Sequence, residues 1–206
     1  MQPHLARELI DTLESINTKL GVLANATIQI SKALQDDSSL DYVKDMNKSF
    51  KEISSQVIDI QLDTINDLKN TIGKSFDEVI NYLSKIKGRI IITGIGKSAI
   101  VGMKLSSTLN STGSPSIFMH GSDALHGDLG TITKNDSLIY ISKSGNNSET
   151  IDLITNLKKN EIDIISITAN KDSFLAKNSK FVIFTPIKKE ACPNNLAPTT
   201  SSVIQL

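Results

Sequence analysis

Apolar residues in the first part of the chain recur three and four positions apart, which is the spacing of one face of an α-helix. Two stripes follow this rule: Leu5, Leu9, Leu13, Ile16 and Leu20, and then Ile53, Val57, Ile60, Thr64, Leu68, Val79, Ile80 and Leu83. No proline lies between Pro3 and Pro115, and proline is the residue that most strongly breaks a helix. The polar segment Gln35–Ser39 contains capping residues and predicts a helix boundary. The N-terminal part is therefore predicted to be helical.

From Arg89 onward the hydrophobic pattern changes to short runs rich in β-branched residues. The predicted strands are Arg89–Thr93, Ser116–His120, Ser137–Ser142, Ile162–Thr168 and Phe181–Thr185. Segments with helical spacing separate them, for example Ser98–Asn110 and Ser148–Lys159. Apolar strands alternating with helices predict an α/β fold with a doubly wound parallel sheet, covered on both faces. Ligands of such sheets bind beyond the carboxyl ends of the strands.

Composition and charge argue against nucleic-acid and membrane partners and indicate a cellular compartment. The chain has 22 basic and 22 acidic side chains, so it lacks the basic excess of a nucleic-acid-binding protein. No apolar run approaches the roughly 18 to 20 residues of a membrane span, and the charged N-terminus is unlike a signal peptide. Cys192 is the only cysteine, which excludes an intrachain disulfide and fits a reducing compartment. We therefore expect a cytoplasmic protein with neither a nucleic-acid nor a membrane partner.

The first predicted strand leads directly into a glycine-rich turn and a helix. The turn reads Thr93-Gly94-Ile95-Gly96-Lys97-Ser98. Glycines there let the backbone approach a ligand, and a helix start offers free amides to an anion. The spacing fits neither a Walker A loop nor a complete dinucleotide-binding fingerprint. Two interpretations stay open: an anion-binding turn, or a tight turn that carries a surface lysine.

The third predicted strand ends in a second loop of the same kind. Its sequence is Ser142-Lys143-Ser144-Gly145-Asn146-Asn147-Ser148-Glu149. Hydroxyls and amides at a helix N-terminus can hold a phosphate without a fixed cation. The alternative is an ordinary helix N-cap made by serine or asparagine. Two such loops at neighbouring strand ends favour a phosphate site.

Two further segments carry titratable side chains. Residues 120–130 contain His120, Asp123, His126 and Asp128, which could transfer protons or bind a metal. Helix-spaced metal-ligand signatures are absent, so no metal is expected. Glu190 follows the fifth strand and could serve as a base if burial raised its pKa; the alternative is a solvated loop carboxylate.

Six motifs together resemble one family. They are Gly-x-Gly-Lys-Ser, Ser-Thr-Gly-x-Pro-Ser from Ser111 to Ser116, His-Gly-Asp-Leu-Gly, Ser-x-Ser-Gly-x-x-Ser-Glu, Lys-Glu-Ala-Cys-Pro and Leu-Ala-Pro-Thr-Thr-Ser. In this order they resemble the sugar isomerase (SIS) domain of the arabinose 5-phosphate isomerases. The resemblance covers residues 51–206, so residues 1–50 are predicted to be a separate helical extension.

The resemblance implies a flavodoxin-like sheet, a homo-oligomer (tetramer or dimer), no cofactor, and interconversion of ribulose 5-phosphate and arabinose 5-phosphate through a cis-enediolate. That reaction supplies the lipopolysaccharide sugar Kdo. The residues at active-site positions are Lys97, His126, Glu149 and Glu190, and the predicted phosphate-binding set is Gly96, Ser98, Ser142, Ser144, Asn147 and Ser148. Glu149 or Glu190 would act as base, Lys97 as the cation at the phosphate or enediolate, and His126 would assist proton transfer to oxygen.

The chain departs from the family pattern at several points. Asp123, Gly121 and Asn147 replace a usual glutamate, a frequent proline and a frequent hydroxyl residue. From this sequence we expect a short form without the family's paired regulatory domains. The family's sequence continues past the position of Leu206 to a further active-site histidine, so we expect either that the protein continues beyond this sequence or that its site is incomplete. A non-catalytic sugar-phosphate-binding protein and another SIS sugar-phosphate isomerase remain alternatives, and the last two motifs argue against the latter.

Overall fold

A computed structural model of the protein describes residues 48–159, 161–192 and 194–206. Most of the predicted N-terminal extension, including the stripe from Leu5 to Leu20, lies outside the described residues. The chain divides into two units at Ser54 and Ser55, and the description below concerns the second unit. The predicted domain boundary at residue 50 stays a prediction.

The helices and strands follow the order that the sequence predicts. They are α1 (Phe50–Lys69), α2 (Lys74–Leu83), β1 (Ile90–Gly94), α3 (Lys97–Ser111), β2 (Ser116–His120), α4 (Gly121–Leu125), a 3-10 turn (Asp128–Thr131), β3 (Ser137–Ile141), α5 (Ser148–Lys158), β4 (Ile164–Thr168), α6 (Phe174–Lys177), β5 (Phe181–Phe184) and α7 (Thr200–Gln205). Each predicted strand is present, with ends that differ by no more than two residues. No described helix is long and apolar enough to cross a membrane.

The five strands form one parallel sheet in the order β2-β1-β3-β4-β5. This is the flavodoxin-like order, and it confirms the predicted doubly wound fold. The strand order reverses between β1 and β3, where Gly94 pairs with His120 on one side and with Ile141 on the other. The carboxyl ends of β2, β1 and β3 therefore lie side by side, at the point where such sheets bind ligands.

Alternate residues of the central strands fill two hydrophobic cores. On one face, Ile91 and Tyr140 pack with Leu153 of α5. On the other face, Ile92 and Ile139 belong to the core that includes Val79 of α2 and Val101 of α3. Because both faces are covered, every residue of β1, β3 and β4 is buried, which explains their continuously apolar sequences.

The predicted apolar stripe of helix α1 is its buried face within the second unit. Thr64, in the middle of the predicted apolar stripe, is buried, and Val57, Ile60 and Leu68 are half-buried. Hydrogen bonds from Thr71 and Ser75 to carbonyls of β5 join the α1–α2 connection and α2 to the sheet edge. The stripe therefore faces the rest of the unit, as periodicity predicts.

Candidate functional site

Two helices begin beside each other at the centre of the sheet edge, immediately after β1 and β3. Their N-cap residues are Gly96 in α3 and Asn147 in α5, and neither makes a side-chain capping hydrogen bond. The amides of a first helical turn have no intrahelical acceptor, so both helix starts can donate to an anion. For the second loop, the ordinary N-cap interpretation is wrong, because the Asn147 side chain bonds elsewhere.

The turn after β1 depends on a glycine. Gly96 has φ 61° and ψ −127°, a conformation that residues with a side chain rarely adopt. It places Lys97 and Ser98 in the first turn of α3, where Lys97 is exposed and Ser98 is half-buried. The hydroxyl of Ser98 donates to the side-chain oxygen of Gln205 at 3.3 Å. An exposed lysine fits both interpretations that the sequence left open for this turn.

The loop after β3 is held by hydrogen bonds within the loop and by contacts with the start of α6. The buried Ser142 hydroxyl accepts from the amide of Gly145 at 3.1 Å. Gly145 has φ 63°, and a Cβ there would lie 2.5 Å from the hydroxyl of Ser173. The side chain of Asn146 accepts from the amide of Phe174 at 2.7 Å. The loop is thus fixed against the start of α6, with Ser144 and Ser148 left exposed.

A chain of side-chain hydrogen bonds leads from the core to Glu149. The Tyr140 hydroxyl donates to Thr150 at 2.9 Å, and the Thr150 hydroxyl donates to the side-chain oxygen of Asn147. The amide nitrogen of Asn147 in turn donates to Glu149 at 3.3 Å. Burial raises the pKa of Tyr140 to about 12, so this hydroxyl keeps its proton. Asn147, one of the departures from the family pattern, therefore orients an exposed carboxylate.

Glu190 is 1% exposed and lies at the centre of a set of hydrogen-bond donors. Its carboxylate accepts from the Lys143 ammonium at 2.7 Å, the Ser201 amide at 3.0 Å, and the Thr199 amide and hydroxyl at 2.9 and 3.2 Å. Burial alone raises the pKa of Glu190, but the hydrogen bonds from Lys143, Ser201 and Thr199 outweigh it and lower the pKa to about 2. Glu190 is buried, so the solvated-carboxylate alternative is wrong, but the rise in pKa that the base role required is absent.

His126 is exposed and caps the C-terminus of α4, which packs against α5. The helix that carries Glu149 is therefore the neighbour of the element that ends in His126. His120 has a structural contact, since its Nδ1 accepts from the amide of Ser122 at 3.3 Å. Within the described residues, no group of three or more His, Cys, Asp or Glu side chains could hold a metal ion.

Lys143, Thr199 and Ser201 hold Glu190 but are not among the predicted site residues. All three lie inside the family motifs, but a sequence does not show that these motifs meet at Glu190. In the described part of the chain, no direct hydrogen bond joins the four predicted active-site residues to one another. The exposed Lys97 ammonium and the exposed Glu149 carboxylate lie at the two helix starts, and the exposed His126 imidazole lies at the end of α4, which packs against α5. These groups suit an anionic substrate and proton transfer.

Comparison with known proteins places this geometry in a family. The SIS domain model matches residues 82–206. The arabinose 5-phosphate isomerase of Francisella tularensis is 46% identical over 71% of this chain and 46% of its own length. That of Pseudomonas aeruginosa is 39% identical over 78% of this chain and 49% of its own length. The chain thus spans about half the length of the curated relatives it matches.

A solved structure gives the same assignment. An Escherichia coli CFT073 protein in complex with arabinose 5-phosphate superposes with a TM-score of 0.73 and 34% identity, covering 77% of this chain and 84% of that one. The family model matches residues 82–206, which contain the whole five-stranded sheet and both helix starts. The chain therefore belongs to the SIS domain family.

Proposed function

We propose that the protein is a sugar-phosphate isomerase that interconverts ribulose 5-phosphate and arabinose 5-phosphate through a cis-enediolate. The observation that carries the proposal is the pair of helix starts without side-chain caps at adjacent strand ends. Relatives named arabinose 5-phosphate isomerase and a structural neighbour in complex with arabinose 5-phosphate support the same substrate class.

The substrate phosphate binds at the loop after β3. Amides of the first turn of α5 and the exposed hydroxyls of Ser144 and Ser148 donate to its oxygens. Gly96 and Ser98 belong to the neighbouring turn, where the Lys97 ammonium balances charge on the phosphate or on the enediolate oxygens. Positive groups aimed at developing charge are the main source of catalysis in such reactions.

Isomerisation requires a base that moves a proton between C1 and C2. Glu149 suits this role because its carboxylate is exposed next to the helix start and is oriented by Asn147. Glu190 suits it poorly, because four donors hold its carboxylate and its pKa is about 2. We therefore assign the base role to Glu149, and to His126 the transfer of a proton between the substrate oxygens.

The proposal also covers the location, the metabolic role and the assembly of the enzyme. A cytoplasmic location fits the single cysteine, and supply of the lipopolysaccharide sugar Kdo is the metabolic role that the resemblance to arabinose 5-phosphate isomerases implies. A homo-oligomer fits the apolar surface of α3, where Ile100 and Met103 are 60% and 55% exposed.

The test is a direct assay of conversion and binding. Purified protein is mixed with ribulose 5-phosphate, and formation of arabinose 5-phosphate is followed by NMR. Calorimetry compares the affinities for arabinose 5-phosphate and for arabinose. Conversion is the expected result, and binding without conversion would favour a sugar-phosphate-binding protein instead. Equal affinity for the two sugars contradicts the phosphate site.

A further inference from the structure

Lys143 lies in the loop after β3 and is anchored through both its backbone and its side chain. Its carbonyl accepts hydrogen bonds from the amide of Ala169 and the hydroxyl of Thr168, both at 3.1 Å. Its ammonium donates to Oε1 of Glu190 at 2.7 Å. One residue of the loop is thus tied both to the end of β4 and to the segment that follows β5.

The second oxygen of Glu190 holds a different part of the chain. Oε2 accepts from the amides of Thr199 and Ser201 at 2.9 and 3.0 Å and from the Thr199 hydroxyl at 3.2 Å. These donors lie at the start of α7. Glu190 therefore bridges the loop after β3 and the first turn of α7.

Helix α7 continues this connection to the other helix start. Near its end, Gln205 accepts from the Ser98 hydroxyl at 3.3 Å. Ser98 belongs to the first turn of α3, one residue after Lys97. A continuous series of contacts therefore joins the two turns that follow β1 and β3.

The Lys143–Glu190 pair differs from an ordinary surface ion pair. Glu190 is 1% exposed, so removal of Lys143 would leave a buried charge without its cation, which is strongly unfavourable. The pair between Lys180 and Asp163 provides the contrast, because both of its partners are exposed, by 45% and 39%. Exposed pairs of that kind contribute little. Lys180 nevertheless matches Lys143 in residue type and in its exposure, 44% for Lys143.

We propose that Lys143 and Glu190 are positioning residues of the isomerase site. Their ion pair fixes the loop after β3 against α7 and so sets the spacing between the two anion-binding turns. The inference rests on the proposed function and deepens it. In this arrangement Glu190 carries no proton during the reaction, and its effect on substrate passes through the loop.

The test compares Lys143→Met with Lys180→Met in the full chain. Hydrogen exchange of residues 142–149 reports on the loop, and calorimetry with arabinose 5-phosphate reports on the site. Lys143→Met should speed exchange in the loop and weaken binding about 10- to 100-fold, the equivalent of one charge-assisted hydrogen bond. KM should rise more than kcat falls. Lys180→Met should leave both readouts unchanged, and Lys143→Arg should restore part of the affinity because it keeps the charge.

Three outcomes overturn the inference or separate it from the proposed function. Normal exchange and affinity in a folded Lys143→Met variant would show that the pair positions nothing. A Glu190→Gln variant that loses turnover while keeping affinity and loop exchange would instead make Glu190 a proton carrier. If the unaltered chain neither binds nor converts arabinose 5-phosphate, the proposed function fails. The exchange comparison then still decides whether the pair fixes the loop.

Discussion

Glu149 and Glu190 carry the same functional group in opposite surroundings. Glu149 is exposed at a helix start and receives one hydrogen bond from Asn147. Glu190 is buried and receives hydrogen bonds from Lys143, Thr199 and Ser201. A carboxylate that is already held by several donors is stabilised in its charged form and is a weak base. At the residue scale, environment rather than residue type separates these two glutamates, and this difference supports the proposed roles of proton carrier for Glu149 and anchor for Glu190.

The base assignment predicts a selective loss of turnover in Glu149→Gln. The substitution keeps the shape of the side chain but removes the group that titrates. We expect turnover to fall by roughly 10²- to 10⁴-fold with little change in affinity for arabinose 5-phosphate. Steady-state kinetics and calorimetry measure the two quantities. Glu78→Gln on α2, which removes a partly exposed carboxylate from an i,i+4 pair, serves as the control. Normal turnover in Glu149→Gln would remove this residue from the mechanism.

The lowered pKa of Glu190 predicts how stability depends on pH. Because the folded-state pKa is about 2, against 4.5 for an ordinary glutamate, ionised Glu190 stabilises the fold above pH 4.5. That contribution disappears as the pH falls toward 2. Glu190→Gln has no such group, so its melting temperature should drop less between pH 5 and pH 2.5 than that of the unaltered protein. Asp136, whose pKa is also lowered, remains in both proteins. Equal drops in melting temperature for the two proteins would contradict the lowered pKa of Glu190.

The loop between β3 and α5 is an element whose shape is fixed by its neighbours. Gly145 lies against Ser173, Asn146 accepts a hydrogen bond from the start of α6, and Lys143 reaches Glu190. Each contact joins the loop to a part of the chain distant in sequence. The exposed groups of the loop are therefore held in place before any ligand binds, which limits the ordering cost of binding.

Gly145→Ala should disturb this loop beyond the ordinary effect of a left-handed residue. The added Cβ would meet the Ser173 hydroxyl at 2.5 Å, and φ is 63°. We expect a loss in the free energy of unfolding of about 1–3 kcal/mol, together with weaker phosphate binding. Gly113→Ala is the matched control, since Gly113 has φ 83° but open space around the Cβ position. Denaturation and calorimetry test both. If the two variants lose the same free energy of unfolding and the same affinity for phosphate, the contact with Ser173 does not stabilise the loop.

Strands and helices could be predicted here because their signals are local. The apolar run Ile90–Ile92 and the periodic segment after Ser148 each specify an element without reference to the rest of the chain. Contacts between motifs could not be predicted in this way. Lys143 meets Glu190 and Ser98 meets Gln205 only because the sheet order brings their loops together. The burial of Glu190 and the direction of its pKa shift could not be predicted for the same reason, because the donors that lower the pKa come from two distant segments of the chain.

At the scale of the whole molecule, α3 exposes apolar side chains that no contact within the described residues buries. Ile100 and Met103 on α3 are more than half exposed, and α3 also begins at the candidate site. Exposed apolar groups on one helix are typical of surfaces that meet another protein. A second apolar surface is predicted from the stripe Leu5–Leu20, which requires a partner surface if that segment is helical. These two surfaces are candidates for self-association, alongside the exposed Ile58 and Leu62 on α1.

The N-terminal stripe predicts that the extension, residues 1–50, enlarges an interface between copies of the chain. An interface built on two copies of one amphipathic segment is isologous, and it is expected to bury more than roughly 1,000 Å². Replacing Leu9 and Leu13 by glutamate should therefore shift the assembly toward smaller species in light scattering, while circular dichroism stays that of a folded sheet. Ile100→Glu tests α3 in parallel. A lower mass only in Ile100→Glu would place the interface on α3 and contradict the prediction for the N-terminal stripe. An unchanged mass in both variants would exclude both surfaces.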